Sequence, residues 1–268
     1  MSRIAKTHGR EALDSCENPA RTLRGERELG EGMAMRGALF DFNGTMIDDR
    51  TMQESSWREF LANKIGRDVA DEEFHGWVHG RNADVIFPHF LGRPLSRQEI
   101  ASLEEEKEVI YRRDCLADPE HFRLLPGLPE FLDLLAERGV GRTIATASNH
   151  TNVVFFFEEL GLDRWFDPAR VVFSDGTFEG KPAPDIYLAA AGRIGVPIGE
   201  CAVFEDSRSG VRAGRRSGAR PVVGIATMFP AEDLRSFGAD EVLSDYRGAS
   251  ALLGGPADDA SASHRLAP

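Results

Sequence analysis

Apolar positions fall in short runs separated by longer amphipathic stretches. Runs at 37–42, 143–147, 171–173, 202–204, 221–225 and 241–243 are rich in β-branched and aromatic residues and lack clear alternation. That is the pattern of strands covered on both faces. Between them, stretches near 128–138, 150–160, 185–195 and 208–217 read as helices. Strand alternating with helix predicts a parallel, doubly wound sheet, with its site at the carboxyl ends of the strands.

The interval 52–123 breaks this alternation, for it holds no convincing strand. Trp57, Phe60, Leu61 and Ile65 are spaced three to four apart, a helical stripe. Ser96 followed by Glu99 is a capping-box pattern opening a charged helix through Glu104-Glu105-Glu106-Lys107-Glu108. Arg93-Pro94 and Leu125-Pro126-Gly127 punctuate the interval. The fold class predicted is α/β: a doubly wound, parallel-sheet, Rossmann-like core (35–50 and 124–253) with an inserted α-helical cap domain (51–123). The insertion points place the hinges at 48–51 and 123–127. Residues 1–34 are polar and weakly periodic, either a disordered extension or sequence preceding a start at Met33 or Met35. Residues 254–268, opening Gly254-Gly255-Pro256, read as a disordered tail. Phe155-Phe156-Phe157 reads as core rather than interface; the oligomeric state is left open.

A chain of 268 residues with 41% hydrophobic composition has enough material for one or two globular domains. The net charge of −12 disfavours generic nucleic-acid binding. No apolar run reaches the ~20 residues of a membrane helix, and the N-terminus has no signal-peptide core. Cys16, Cys115 and Cys201 lie far apart without metal-site spacing. They predict free thiols in a reducing, cytoplasmic setting.

Four constellations carry the chemistry. Leu39-Phe40-Asp41-Phe42-Asn43-Gly44-Thr45 ends an apolar run in a carboxylate, a turn and a small hydroxyl. Asp41 alone would read equally as a helix cap or salt-bridge partner. Gly44 permits close backbone approach and Thr45 can donate to an oxyanion. Asn43-Gly44 also suits a type I′ hairpin turn, for which Met46-Ile47-Asp48-Asp49 would supply the second strand. Ile144-Ala145-Thr146-Ala147-Ser148-Asn149 ends a strand in a hydroxyl just before a helix. That is an anion site, or plain N-capping by Ser148 or Asn149. Gly180-Lys181-Pro182-Ala183-Pro184-Asp185 fixes one Lys between prolines in a chain where Lys is scarce. A held ammonium there neutralises a carboxylate and a phosphate; the alternative is a surface Lys. Val203-Phe204-Glu205-Asp206-Ser207 ends a strand in paired acids, hard oxygen ligands suited to Mg²⁺, or a capping Asp beside a solvated Glu.

In this order at successive strand ends, the four motifs resemble the haloacid dehalogenase-like superfamily of phosphatases and phosphomutases. The branch most similar inserts a helical cap after the first motif and includes β-phosphoglucomutase. The resemblance spans about residues 36–250. It implies Asp41 as the nucleophile, forming an aspartyl-phosphate. It implies Mg²⁺ held by Asp41, the backbone carbonyl of Asn43 and Asp206, with Glu205 as a ligand or just behind one. It implies Thr146 and the Ala147 N–H as phosphate-binding groups, with Lys181 balancing charge. The expected partner is a small phosphorylated metabolite, a sugar phosphate above all, and not nucleic acid or membrane. On the cap, His79-Gly80-Arg81-Asn82 is similar to the segment facing the leaving group, which makes Arg81 and His79 substrate-contact candidates; a solvated Arg in an interhelical turn is the alternative. His75 and His79 lie four apart, but no third zinc ligand is evident.

Two residues depart from the family pattern. Asn43 occupies the position of the usual second Asp, which protonates the leaving oxygen and then activates water. Gln53 stands near where β-phosphoglucomutase carries a His. Both weigh against a mutase. A working phosphatase would need another proton carrier, for which Asp48, Asp49, His79 and His150 are candidates, or a leaving group that departs without a proton. Deamidation of Asn43 before Gly44 is a second hypothesis, set against the favoured alternative that the folded strand end prevents the required geometry. A phosphate-ligand binding or regulatory protein is a third.

Overall fold

A strand buried on both faces needs a covering layer on each, and the computed structural model shows how this chain provides them. It describes residues 35–78, 81 and 83–254. Five strands, β1 (Gly37–Phe40), β2 (Gly141–Ile144), β3 (Cys201–Glu205), β4 (Val222–Ile225) and β5 (Glu241–Leu243), form one parallel sheet in the order β2-β1-β3-β4-β5. Along β1, Ala38 and Phe40 face one layer and Leu39 the other. The first layer contains α5 (Leu128–Glu137) and α6 (His150–Leu160), with Phe131, Phe166 and Tyr246 packed around Phe40 and Phe204, and Phe156 stacked on Phe42. The second contains α7 (Asp185–Ile194), α8 (Arg208–Ser217) and α9 (Ala231–Phe237), whose Tyr187, Val211 and Leu234 pack with Leu39 and Val203. The expected Phe triplet is core: Phe155 and Phe156 are buried, and Phe157 packs against them.

The strand order reverses at β1, with β2 on one side and β3 on the other. The carboxyl end of β1 is therefore the switch point where an open α/β sheet leaves a crevice. Asp41 is the next residue, with its N–H bonded to the Phe204 carbonyl.

Between β1 and β2 the chain forms α1 (Arg50–Ile65), α2 (Asp71–Trp77), α3 (Ala83–Leu91) and α4 (Arg97–Ala117). These helices own a separate apolar cluster of Phe60, Leu61, Phe74, Ile86 and Phe87, as a distinct cap requires. The Ser96–Glu99 capping box opens α4 as its sequence predicts. The two crossings between cap and core run side by side: Ile47 bridges Leu124 antiparallel, and the Leu125 N–H bonds the Met46 carbonyl at 2.8 Å. This corrects the hairpin expectation, because the segment after Asn43-Gly44 pairs with the returning crossing rather than folding back antiparallel on β1.

A second correction concerns 171–173, expected as a strand. Only Val172 pairs, bridging Ala145 at the sheet edge. Cys115 and Cys201 are buried free thiols, with burial pushing them up to about 12 and about 11. Among the described residues no helix is long and apolar enough to cross a membrane. The expectations for residues 1–34, Cys16, His79 and 255–268 lie outside the described residues.

Candidate active site

Three strand ends and one loop converge at the switch point. Asp41 follows β1, Glu205 ends β3 with Asp206 next, and Thr146 lies two residues past β2. All four are buried. Lys181, in the loop before α7, reaches between two of them, with Nζ 2.5 Å from Asp41 Oδ1 and 2.5 Å from Glu205 Oε1. Its side chain is 8% exposed, which excludes the surface-Lys alternative. Glu205 is not solvated either. Tyr187 Oη donates to Oε1 at 3.0 Å, while the Ser207 N–H and Oγ donate to Oε2 at 2.9 Å each. Capping of α8 falls to Ser207, whose Oγ accepts from the Gly210 N–H, so Asp206 is free of that role. Asp206 Oδ1 accepts from Thr45 Oγ1 at 3.3 Å.

The turn after β1 must bring its backbone against this acid. Gly44 has φ +73°, and a Cβ there would lie 2.1 Å from Asp206 Oδ2. Only glycine meets both conditions.

Ligand atoms of Asp41, Glu205 and Asp206 lie within 4.8 Å of one another. Three carboxylates against one ammonium leave a formal −2 in a buried site. Burial pushes the Asp41 carboxyl up to about 7; Lys181 pulls it down and the Glu205 charge adds to the rise. Burial, then the charges of Glu205 and Asp41, push Asp206 well above the carboxylate range. Burial opposes the Lys181 ammonium, but Asp41 and Glu205 outweigh it and hold its pKa above the ordinary Lys value. Protons relieve such an excess, and a divalent cation relieves it with the carboxylates ionised. The donor set of hard oxygens fits Mg²⁺. The protein donors that fill both Glu205 oxygens leave Asp41 and Asp206 the better-placed ligands.

Asn149, rather than Ser148, caps α6, through Oδ1 and the Asn152 N–H at 2.9 Å. That frees Ser148 Oγ to donate to Asn43 Oδ1 at 2.7 Å, while the Ser148 N–H bonds Thr146 Oγ1 at 3.1 Å. Ala147, between them, is exposed. On its other side Asn43 Nδ2 donates to Asp49 Oδ2 at 2.7 Å and to Tyr111 Oη at 3.1 Å. Of the proton-carrier candidates, Asp49 therefore touches residue 43. Asp48 pairs with Arg50 on the surface and His150 sits exposed beside Phe173. Arg81 lies in the turn between α2 and α3. Its guanidinium is 4.8 Å from the Trp77 ring centroid and its Nε donates to the Gly76 carbonyl at 3.2 Å. These contacts are all within the cap.

Sequence reasoning missed Tyr111 and Tyr187. Each sits at an ordinary helical core position, and only its hydroxyl, aimed by the packing, carries the polar role. Gln53, noted only as a departure, lies next to Asp49, with its Nε2 donating to Asp49 Oδ2 at 3.1 Å.

Comparison with known proteins adds the family. The hydrolase family described as haloacid dehalogenase-like hydrolase matches residues 35–218. Hexitol phosphatase A of Escherichia coli is 31% identical over 213 residues, 79% of this chain and 91% of that one. A β-phosphoglucomutase of Mycobacterium tuberculosis is 28% identical over 248 residues, 82% of this chain and 93% of that one. A family IA hydrolase structure from Entamoeba histolytica superposes with a TM-score of 0.76 at 32% identity, covering 82% of this chain and all of that one. With a family match over more than half its length and the same helical insertion after β1, this chain belongs to the haloacid dehalogenase-like hydrolases.

Proposed function

We propose that this protein is a Mg²⁺-dependent phosphatase that hydrolyses a small phosphorylated metabolite, a sugar phosphate, through an aspartyl-phosphate. The observation that carries this reading is Asp41 at the switch point, bonded to the buried Lys181 beside Glu205 and Asp206. In this reading residues 35–50 and 124–253 form the catalytic core and residues 51–123 the cap.

Asp41 and Asp206, with the Asn43 backbone carbonyl, would hold Mg²⁺, and Glu205 would support them by fixing Lys181. When bound, Mg²⁺ supplies positive charge to the transferring phosphoryl group. Asp41 forms a bond to phosphorus as the ester P–O bond breaks. Lys181, Thr146 and the Ala147 N–H balance and orient the phosphoryl oxygens. The leaving alkoxide takes its proton from solvent. Water then attacks the acyl phosphate, releasing phosphate and restoring Asp41. The cap helices close over the substrate about hinges at 48–51 and 123–127, with Arg81 and His79 as substrate contacts.

Asn43 supplies no proton in this scheme. Both Nδ2 hydrogens are engaged by Asp49 and Tyr111, and Oδ1 accepts from Ser148. Absence of general acid–base help costs about 10²–10⁴-fold, so substrates with good leaving groups are preferred. The same amide favours a second reading, a phosphate-ester binder that does not turn over. A phosphomutase, which must reuse its phospho-aspartate, is supported less.

The test is phosphate release from sugar and nucleotide monophosphates with Mg²⁺, wild type beside Asp41→Asn. Release that vanishes in Asp41→Asn supports the phosphatase. Calorimetric binding of an ester without release by wild type supports the binder and overturns the phosphatase.

A further inference from the structure

The carboxylate that residue 43 lacks is present six residues later, in contact with it. Asp49 is 2% exposed and its two oxygens accept four bonds. Oδ1 accepts from the Gly44 N–H at 3.1 Å. Oδ2 accepts from Asn43 Nδ2 at 2.7 Å, Tyr111 Oη at 2.7 Å and Gln53 Nε2 at 3.1 Å. The donors come from the loop after β1, from α1 and from α4. Of the cations on these elements, Lys107 bonds Gln53 Oε1 at 2.9 Å and so lies one residue removed, and Arg50 pairs with Asp48. The charge of Asp49 also acts on Asp41 and Asp206.

This arrangement settles which way the Asn43 amide points. A carboxylate only accepts, so the nitrogen must face Asp49 and the oxygen must face Ser148. We propose that Asp49 is the positioning residue for residue 43: it holds the amide with Oδ1 turned toward Ser148, so that Asn43 serves the site as a fixed hydrogen-bond acceptor. Such an acceptor orients the hydroxyl of the attacking water or of the departing sugar, and carries no proton itself. Asn43 and Asp49 are thus one pair with the acid and amide exchanged in position. A carboxylate at position 43 facing the native Asp49 would bring two like charges to the distance now spanned by the 2.7 Å bond, and they repel there. A carboxylate at position 43 facing an amide at position 49 would restore the bond with donor and acceptor reversed.

The inference rests on the phosphatase reading for the water and leaving group, and on geometry alone for the pair. Four proteins test it: wild type, Asn43→Asp, Asp49→Asn and the exchange Asn43→Asp/Asp49→Asn. In thermal unfolding at pH 8, each single change should lower the midpoint by several degrees and the exchange should recover most of the loss. In ¹H–¹⁵N spectra the Asn43 side-chain amide should shift markedly in Asp49→Asn. In phosphate release the exchange should exceed Asn43→Asp by about tenfold or more in kcat at similar KM, since both carry a carboxylate at position 43 and differ only in what positions it. Additive midpoints, or equal kcat in those two variants, would overturn the proposal. Loss of all turnover in all four proteins would overturn the phosphatase reading instead, and the midpoints with the amide signal would still decide the pair.

Discussion

Lys181→Met removes the one ammonium from a site of three buried carboxylates. Each contact of 2.5 Å amounts to about 7 kcal/mol of Coulomb attraction at an effective dielectric of ~20. Most of that is offset by the cost of bringing the ions out of water. What the substitution exposes is the residue of that balance, an uncompensated pair of buried acids, for which the expected loss is about 3–5 kcal/mol. For a protein of this size that corresponds to roughly 6–20 °C in the thermal midpoint. The loss has a definite pH dependence. Without Lys181, whose charge lowers both, the folded-state pKa values of Asp41 and Asp206 rise further above those of the unfolded chain. The folded form then holds more protons than the unfolded form, and stability falls as pH rises through that window. The penalty should be small at pH 5 and full at pH 8. Mg²⁺ should shrink it, because the cation replaces part of the missing charge. The assay is denaturant unfolding of wild type and Lys181→Met at both pH values, with and without Mg²⁺. A loss below about 1 kcal/mol at pH 8 without Mg²⁺, or one equal at both pH values, would refute the argument that Lys181 neutralises Asp41 and Glu205.

Three further outcomes are expected. Gly44→Ala should cost at least ~1–2 kcal/mol from the positive φ alone. Its Cβ would also strike Asp206 Oδ2, so Mg²⁺-induced stabilisation should be lost in calorimetry. Because the Asp41 carboxyl is pushed up to about 7, Mg²⁺ competes with a proton below that pH; it should raise the thermal midpoint more at pH 8 than at pH 5.5, and equal shifts would count against Asp41 as a ligand. The Gly44 N–H is bonded to Asp49 and the Asn43 amide is held on both ends, so Asn43 should resist deamidation in the native protein and deamidate on unfolding, as read by peptide mass spectrometry; equal rates in both states would contradict this.

Much was legible in the sequence because the signals are local. An apolar run ending in Asp41, another ending in Glu205-Asp206, a Lys held between prolines and a hydroxyl ahead of a helix each depend on a few adjacent residues. Their common order along the chain then implied that a parallel sheet would gather them at one edge, and it does for Asp41, Lys181, Glu205 and Asp206. The helical character of 52–123 was equally visible, from apolar spacing and the capping box. The run at 171–173 misled because β-branched residues record a preference for extension, while a strand requires a ladder. Val172 has one, bonding the Ile144 carbonyl and accepting from Thr146, but the Val171 N–H bonds back to the Pro168 carbonyl and the pairing stops at a single bridge.

What only tertiary structure decided is the set of contacts between distant elements. Tyr111 meets Asn43 across 68 residues, Ser148 across 105 and Lys181 meets Asp41 across 140. The packing of α4 on the loop after β1 decides that Asp49 rather than Asp48 faces residue 43. It also converts an apparent defect in the first motif into an amide with every donor satisfied. The sequence names the hydrogen-bonding groups, but a hydrogen bond depends on angstrom-scale placement. That placement arises only when the sheet, its two helical layers and the cap have packed against one another.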